Sequence, residues 1–313
     1  MAPLVNIEGS YGSLFLGVIA SIGLMGITTM QTWIYWLKYS KRDRVGTKTS
    51  VLVLWCLEFI RACFAVHAVY HYVVVEWGDP EALGVNIWSF NIYVPLNSSI
   101  QIMVHSFFAY RVKVLSRNNW YLVGLIMILA VANLAANLAL YVEITLAQEL
   151  SKIQGSDKLG NLATIGLASS IAADVSITFS LLFYVNRFRA HIEEKRTLRL
   201  INRIMFYLIN VGALTSMIDI ATLVLCDALT NPPNLKFYAL AEVTGNLYAN
   251  SLLATLNARD SLKTISEAET TPANPASVLV FARAANSSSA LASVGVEDVN
   301  HSGGTNHVKV SEK

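Results

Sequence analysis

Arg187–Arg203 reads RFRAHIEEKRTLRLINR. The stretch holds Arg187, Arg189, Lys195, Arg196, Arg199 and Arg203 against only Glu193 and Glu194, and long apolar runs flank it on both sides. A dense Lys/Arg cluster between two membrane-length apolar segments marks a cytoplasmic loop, because basic residues resist translocation. With this loop inside, the side of every other loop follows.

Outward from it, Asn161 to about Val185 and Ile204 to about Cys226 read as the fifth and sixth spans. Before them lie Ser13–Leu37, Thr49–Val75, about Trp88–Tyr110 (with a kink expected at Pro95) and Trp120 to about Val142; Phe237 to about Asn257 comes last. Each supplies the roughly 20 residues that a helix needs to cross a bilayer. Lys38, Lys41, Arg42, Arg44 and Lys48 follow the first span, Arg111, Lys113 and Arg117 the third, and Arg259 and Lys263 the last. The loop after the second carries Glu76, Asp79 and Glu81 and no Lys or Arg. This alternation predicts an all-α membrane protein, a seven-transmembrane-helix bundle with its N-terminus outside and its C-terminus cytoplasmic. Residues 1–12 form a short extracytoplasmic start, 13–260 the membrane domain, and 261–313, rich in Ser, Ala, Asn, Thr and Gly, a disordered cytoplasmic tail. A plasma-membrane location is taken ahead of an internal one.

Composition agrees. Hydrophobic residues are 54% and charged residues 14%, where a soluble domain carries about 25% charge. The basic residues are segregated in loops rather than spread over one face, which argues against nucleic-acid binding. Cys56, Cys63 and Cys226 lie in apolar runs and offer no disulfide framework. The start lacks a basic n-region, so the first span is expected to be an uncleaved anchor.

Ionisable residues inside the spans are the informative part, since each costs about 2.5–3.5 kcal/mol at the bilayer centre on insertion scales. Glu58 and Arg61 are i,i+3 on the second helix and can pair within it. Asp174 lies at a depth from which it can reach Arg61, and Asp219 and Glu242 sit in the sixth and seventh spans. Polar residues line up at helical spacing: Asn97, Gln101 and His105 on the third, Asn133 and Asn137 on the fourth, Ser170, Asp174 and Thr178 on the fifth. Gly212, Thr215, Ser216 and Asp219 share a face of the sixth, and Glu242, Asn246 and Asn250 a face of the seventh. These faces either enclose a ligand or ion pathway or act as interhelical hydrogen-bond glue. Ser13, Gly17 and Ser21 form a small-residue face suited to close helix packing.

His67 and His71, i,i+4 on the second helix, are the best metal candidates. No Glu lies between them in the HExxH sense, and His105 is at the wrong depth for a third ligand. GxSxG, P-loop and GxGxxG motifs are absent, and so is a lysine within the last span that could bind retinal. No cofactor is expected, and an enzyme stands behind a receptor-like protein and an ion- or proton-coupled transporter. Arg111, Arg196, Arg199, Arg203 and Arg259 are positioned for lipid phosphates or a cytoplasmic signalling partner.

Gly26-Ile27, Gln31, Tyr35, Asp43, Lys48 and Leu54-Trp55 open the chain; Phe107-Phe108-Ala109-Tyr110-Arg111-Val112 closes the third span. Asp174, then Leu200-Ile201-Asn202-Arg203 and Leu214-Thr215-Ser216, lead to Tyr248-Ala249-Asn250-Ser251-Leu252-Leu253-Ala254-Thr255-Leu256-Asn257-Ala258-Arg259. Together, over about Gly12 to Leu262, these resemble the uncharacterised seven-helix membrane proteins of mushroom-forming fungi, a domain of unknown function. The resemblance implies a seven-helix membrane domain and no assigned activity. Where that family tends to carry Asp and His in the second helix, this chain has Glu58 and Arg61.

Overall fold

The computed structural model describes residues 11–77, 85–147, 156–189, 212–225 and 236–268. Helix dominates, and there is no strand element among the described residues. The helices are α1 (Ser13–Tyr39), α2 (Val45–Tyr70, carried on by a π turn at His71–Val75), α3 (Trp88–Asn91), α4 (Tyr93–Leu115), α5 (Trp120–Ala147), α6 (Asp157–Arg189), α7 (Gly212–Leu225) and α8 (Lys236–Ala268). Four stretches, Ser13–Tyr39, Val45–Val75, Trp120–Ala147 and Asp157–Arg187, are long and apolar enough to cross a membrane. They mark the chain as a membrane protein.

α4 and α8 are long as well, but polar residues interrupt them. Ser98, Gln101 and His105 in α4, and Glu242, Asn246, Asn250 and Thr255 in α8, are all buried. Leu16, Met30 and Trp33 of α1 and Ile128 and Leu146 of α5 are exposed. Polar groups inside and apolar groups outside is the arrangement that lipid demands, since hydrocarbon cannot satisfy a hydrogen bond.

Two boundaries differ from the sequence expectation. The third span is divided at Ile92 rather than bent at Pro95. Pro95 falls in the first turn of α4, where its missing N–H leaves no helical bond unmade, and Leu96 N–H donates to Ile92 at 3.3 Å. α8 continues to Ala268 rather than ending near 260. The added residues include good helix formers, and the first proline beyond is Pro272.

Contacts set the directions. Trp55 Nε1 donates to Thr29 (3.2 Å) and the Tyr11 and Tyr72 rings lie 5.3 Å apart, so α1 and α2 are antiparallel. Lys113 covers the Trp120 ring at 3.7 Å and Ser106 meets Met127, which pairs α4 with α5. Asn119–Tyr184, Asn133–Gly166 and Lys158–Glu143 bonds do the same for α5 and α6. By contrast, α1 and α8 run parallel. Gly17 abuts Ala239, Ser21 meets Glu242 and Asn246, Thr28 bonds Asn250, and the Tyr39 hydroxyl donates to the Asn257 carbonyl. A Cβ on Gly17 would lie 2.6 Å from the Ala239 Cα, so the glycine is what lets these backbones approach.

A tight turn joins α4 to α5, with Arg117 (φ 55°) and Asn118 (φ 72°) both left-handed. Asn118 N–H returns to the Lys113 carbonyl at 3.0 Å. Asn119 then caps α5, its Oδ1 accepting from Tyr121 N–H at 3.1 Å. The core beneath is built on Tyr35, Leu54, Ile100, Val104, Ile126 and Leu253, all fully buried. The chain divides into two compact units, Met1–Leu262 and Lys263–Lys313; of the second, residues 263–268 are described, as helix.

Candidate functional site

Two buried polar networks and a cavity with a polar lining lie within the first unit. The first network centres on Arg61. Its Nε and Nη2 donate to Glu58 Oε2 at 3.3 and 2.8 Å, one turn back on α2. Nη1 donates to the Glu242 carboxylate and to the Glu242 carbonyl (3.2 Å) on α8, and Nη2 reaches Ser21 Oγ at 3.4 Å on α1. A guanidinium has five N–H donors, and five bonds are made. Ser21 Oγ also donates to Glu242 (3.3 Å) and accepts from Asn246 Nδ2 (2.6 Å). Arg61 is 1% exposed and Glu58 0%, so the charges answer one another rather than water. This joins α1, α2 and α8 through a clamped cation.

The second network lies about 9 Å further along α8 and joins α4, α6, α7 and α8. Asp174 is its hub on α6. Oδ1 stands 3.1 Å from His105 Nε2, and Oδ2 accepts from Thr215 Oγ1 (2.9 Å) and from the Tyr248 hydroxyl (2.6 Å). That hydroxyl also stands 3.2 Å from Asp219 Oδ2 and 3.2 Å from Ser170 Oγ, and Ser170 donates to Asp219 at 3.2 Å. The Tyr248 ring meets His105 edge-on, with centroids 5.6 Å apart. Two carboxylates thus face one phenol with a single proton to share.

Between α4, α5, α6, α7 and α8 is a cavity of about 100 Å³. Its polar lining includes Tyr93, Asn97, Gln101, Asn133, Asn137 and Ser170. Asn133 Nδ2 donates to the Gly166 carbonyl (2.8 Å), and Asn137 Nδ2 to Asn133 (3.0 and 3.1 Å). Ser170 belongs to both the cavity wall and the Asp174 network.

Residues 170–261 match a family of unknown function (DUF6534). No curated protein and no solved structure matches the chain. The matched segment contains Ser170, Asp174, Thr215, Asp219, Glu242 and Tyr248, the α6–α8 side of both networks.

The residues expected to form one pathway are divided between these features. Glu58, Arg61, Glu242 and Asn246 form the first network, His105, Asp174 and Asp219 the second, and Asn97 and Gln101 line the cavity. Asn250 stands apart from both, meeting Thr28 Oγ1 (3.2 Å) and the Leu24 carbonyl (3.2 Å) on α1. The expected Asp174–Arg61 contact is not made. Glu242, on a helix packed directly against α2, takes the free side of Arg61, and Asp174 turns to His105 instead. His67 Nδ1 pairs with Ser89 Oγ at 2.9 Å, and His71 lies 3.8 Å from Glu76. No group of three or more metal-ligating side chains occurs among the described residues, so the His67–His71 metal site has no third ligand there. Arg111, near the end of α4, has its guanidinium 4.9 Å from the Phe107 ring centroid. Arg196, Arg199 and Arg203, and the Arg259 side chain, lie outside the described residues.

Tyr248 was missed as a site residue. Glu242, Asn246 and Asn250 mark one face of α8, and Tyr248, two residues from Asn246, points about 200° away from it. The signal was a second face of hydroxyls, Thr244, Tyr248, Ser251 and Thr255, at i, i+4, i+7 and i+11.

Proposed function

We propose that this is a seven-span, receptor-like membrane protein, with its N-terminus outside, that binds a small ligand in the cavity and reports to a partner at its basic inner face. One observation carries the reading: Ser170 is shared by the cavity wall and the Asp174–Tyr248–Asp219 network. A ligand that pulls on Ser170 changes what Tyr248 and Asp219 bond, and those groups link four helices. The parallel run of α1 and α8 fits the seven-span count, because an even number of reversals must separate parallel helices. The resemblance to fungal seven-helix proteins and the apolar spans fit a plasma-membrane protein.

A transporter is the second reading, favoured by the Asp174–Tyr248–Asp219 bridge. Against a relay through all three acids stands Glu242, clamped to Arg61; freeing a partner of a buried ion pair costs about 3–5 kcal/mol. Two measurements separate the readings. The receptor reading expects a signalling complex on wild type purified from native membranes, lost when Arg196, Arg199 and Arg203 become Gln. It also expects no proton flux into dye-loaded proteoliposomes. A flux that disappears in Asp174→Asn makes the protein a transporter.

A further inference from the structure

The chemistry of the cavity wall narrows what can occupy it, an inference that rests on the ligand-binding reading above. Four side-chain amides (Asn97, Gln101, Asn133, Asn137) and four hydroxyl-bearing side chains, Ser170 and Thr222 among them, line the space, and among the described residues no Asp, Glu, Lys, Arg or His does. The nearby charges stand behind this wall, Asp219 beyond Ser170 at 3.2 Å. Arg61 bonds Glu58 and Glu242, and the Tyr93 ring, 5.8 Å from its guanidinium carbon, stands on the cavity side. A charged ligand entering here would lose its hydration and meet no counter-ion among the described lining residues, a cost of several kcal/mol.

Neutral polar groups are welcome instead. Amides and hydroxyls offer both donors and acceptors. Two polar atoms on lining residues, Asn97 Oδ1 and the Tyr93 hydroxyl, are buried with no hydrogen-bond partner among the described residues. Leaving such atoms unmet costs about 1–3 kcal/mol each; Asn97 Oδ1 is set against the α8 backbone at Gly245. The rest of the wall is apolar. Phe237 and Tyr238 sit with ring centroids 4.3 Å apart at one end, and Val94, Leu140 and Leu167 complete it. The space of about 100 Å³ is below the roughly 300–1,000 Å³ of drug-sized sites and suits a small molecule or the head of an amphiphile.

We propose that the cavity binds a neutral amphiphile bearing hydroxyl or carbonyl groups, its polar end held by Asn97, Gln101 and the Asn133–Asn137 pair and its apolar body against Phe237 and Tyr238. Such a molecule reaches the site from the bilayer or from water without carrying charge through either.

The test is photolabelling of the full-length protein in phosphatidylcholine nanodiscs. The probes are a diazirine-bearing octanol and its amine and carboxylate counterparts, with labelled residues located by mass spectrometry. The alcohol is expected to label cavity residues of α4, α5 and α8, and each charged counterpart to label them about tenfold less. Asn97→Leu and Asn137→Leu should each lower alcohol labelling about fivefold, the weight of one hydrogen bond. Equal labelling by the amine or carboxylate, or labelling confined to lipid-facing residues such as Phe15 and Ile128, overturns the proposal; this comparison uses wild type and survives a misfolded variant. Cavity labelling without an inner-face complex would leave the site standing and remove the receptor reading. A complex without cavity labelling would do the reverse.

Discussion

The Tyr248 hydroxyl donates to the Asp174 carboxylate across 2.6 Å, from the middle of α8 to the middle of α6. The same oxygen is 3.2 Å from Asp219 on α7. One phenol therefore ties together three helices and stands between two acids. In lipid no water competes for these groups, but the unfolded chain in a membrane also finds partners, so interhelical bonds there average about 0.6–2 kcal/mol. A bond to a carboxylate belongs at the upper end.

Tyr248→Phe removes that hydroxyl and keeps the ring against His105. It should lower stability by about 1–3 kcal/mol, measured by detergent-denaturant unfolding. Thr215→Val should cost less, about 1 kcal/mol, since Asp174 retains His105 and Tyr248. A Tyr248→Phe protein as stable as wild type would show that the bridge contributes nothing.

Arg61→Leu leaves Glu58 and Glu242 buried without their cation and should destabilise by about 3–5 kcal/mol. Adding Glu58→Gln and Glu242→Gln should restore much of that loss. Adding Asp174→Asn should not, because Asp174 belongs to the other network. Rescue by Asp174→Asn would contradict the separation of the two networks.

The small face of α1 makes a sharp contrast. Gly17→Ala drives a methyl into the Ala239 backbone and should part α1 from α8, costing about 1–3 kcal/mol. Gly23→Ala meets nothing within 4 Å and should stabilise the helix by up to about 1 kcal/mol. Thermal unfolding of the two variants side by side checks the order; an equal effect would mean that the α1–α8 contact does not set the cost.

At the α4–α5 turn, Arg117 holds φ at 55°. An L-residue with a side chain pays about 1–2 kcal/mol there, offset in part by the greater unfolded-state freedom of glycine. Arg117→Gly should therefore raise stability by about 0.5–1 kcal/mol, read as a higher unfolding midpoint. A lowered midpoint would mean that the Arg117 side chain contributes more than its backbone costs.

Much of this was legible in one dimension. Long apolar runs bounded by basic clusters required membrane-length helices, because hydrocarbon accepts only self-satisfied backbone, and α1, α2, α5 and α6 follow from that. The Glu58–Arg61 pair was also legible, since i,i+3 neighbours on a helix must lie side by side. Helical periodicity likewise placed Asn133 beside Asn137. Partners across helices were a different matter. Whether Arg61 met Asp174 or Glu242 depended on which helix face lies against Arg61, and the spacing of residues along the chain does not say which. The parallel packing of α1 on α8, allowed by Gly17, brought Glu242 to Arg61 and left Asp174 to His105, Thr215 and Tyr248. Sequence alone determined which residues had to be buried, because their chemistry forbids lipid; only tertiary packing decided whom each would meet, because a helix presents several faces and its neighbours choose among them.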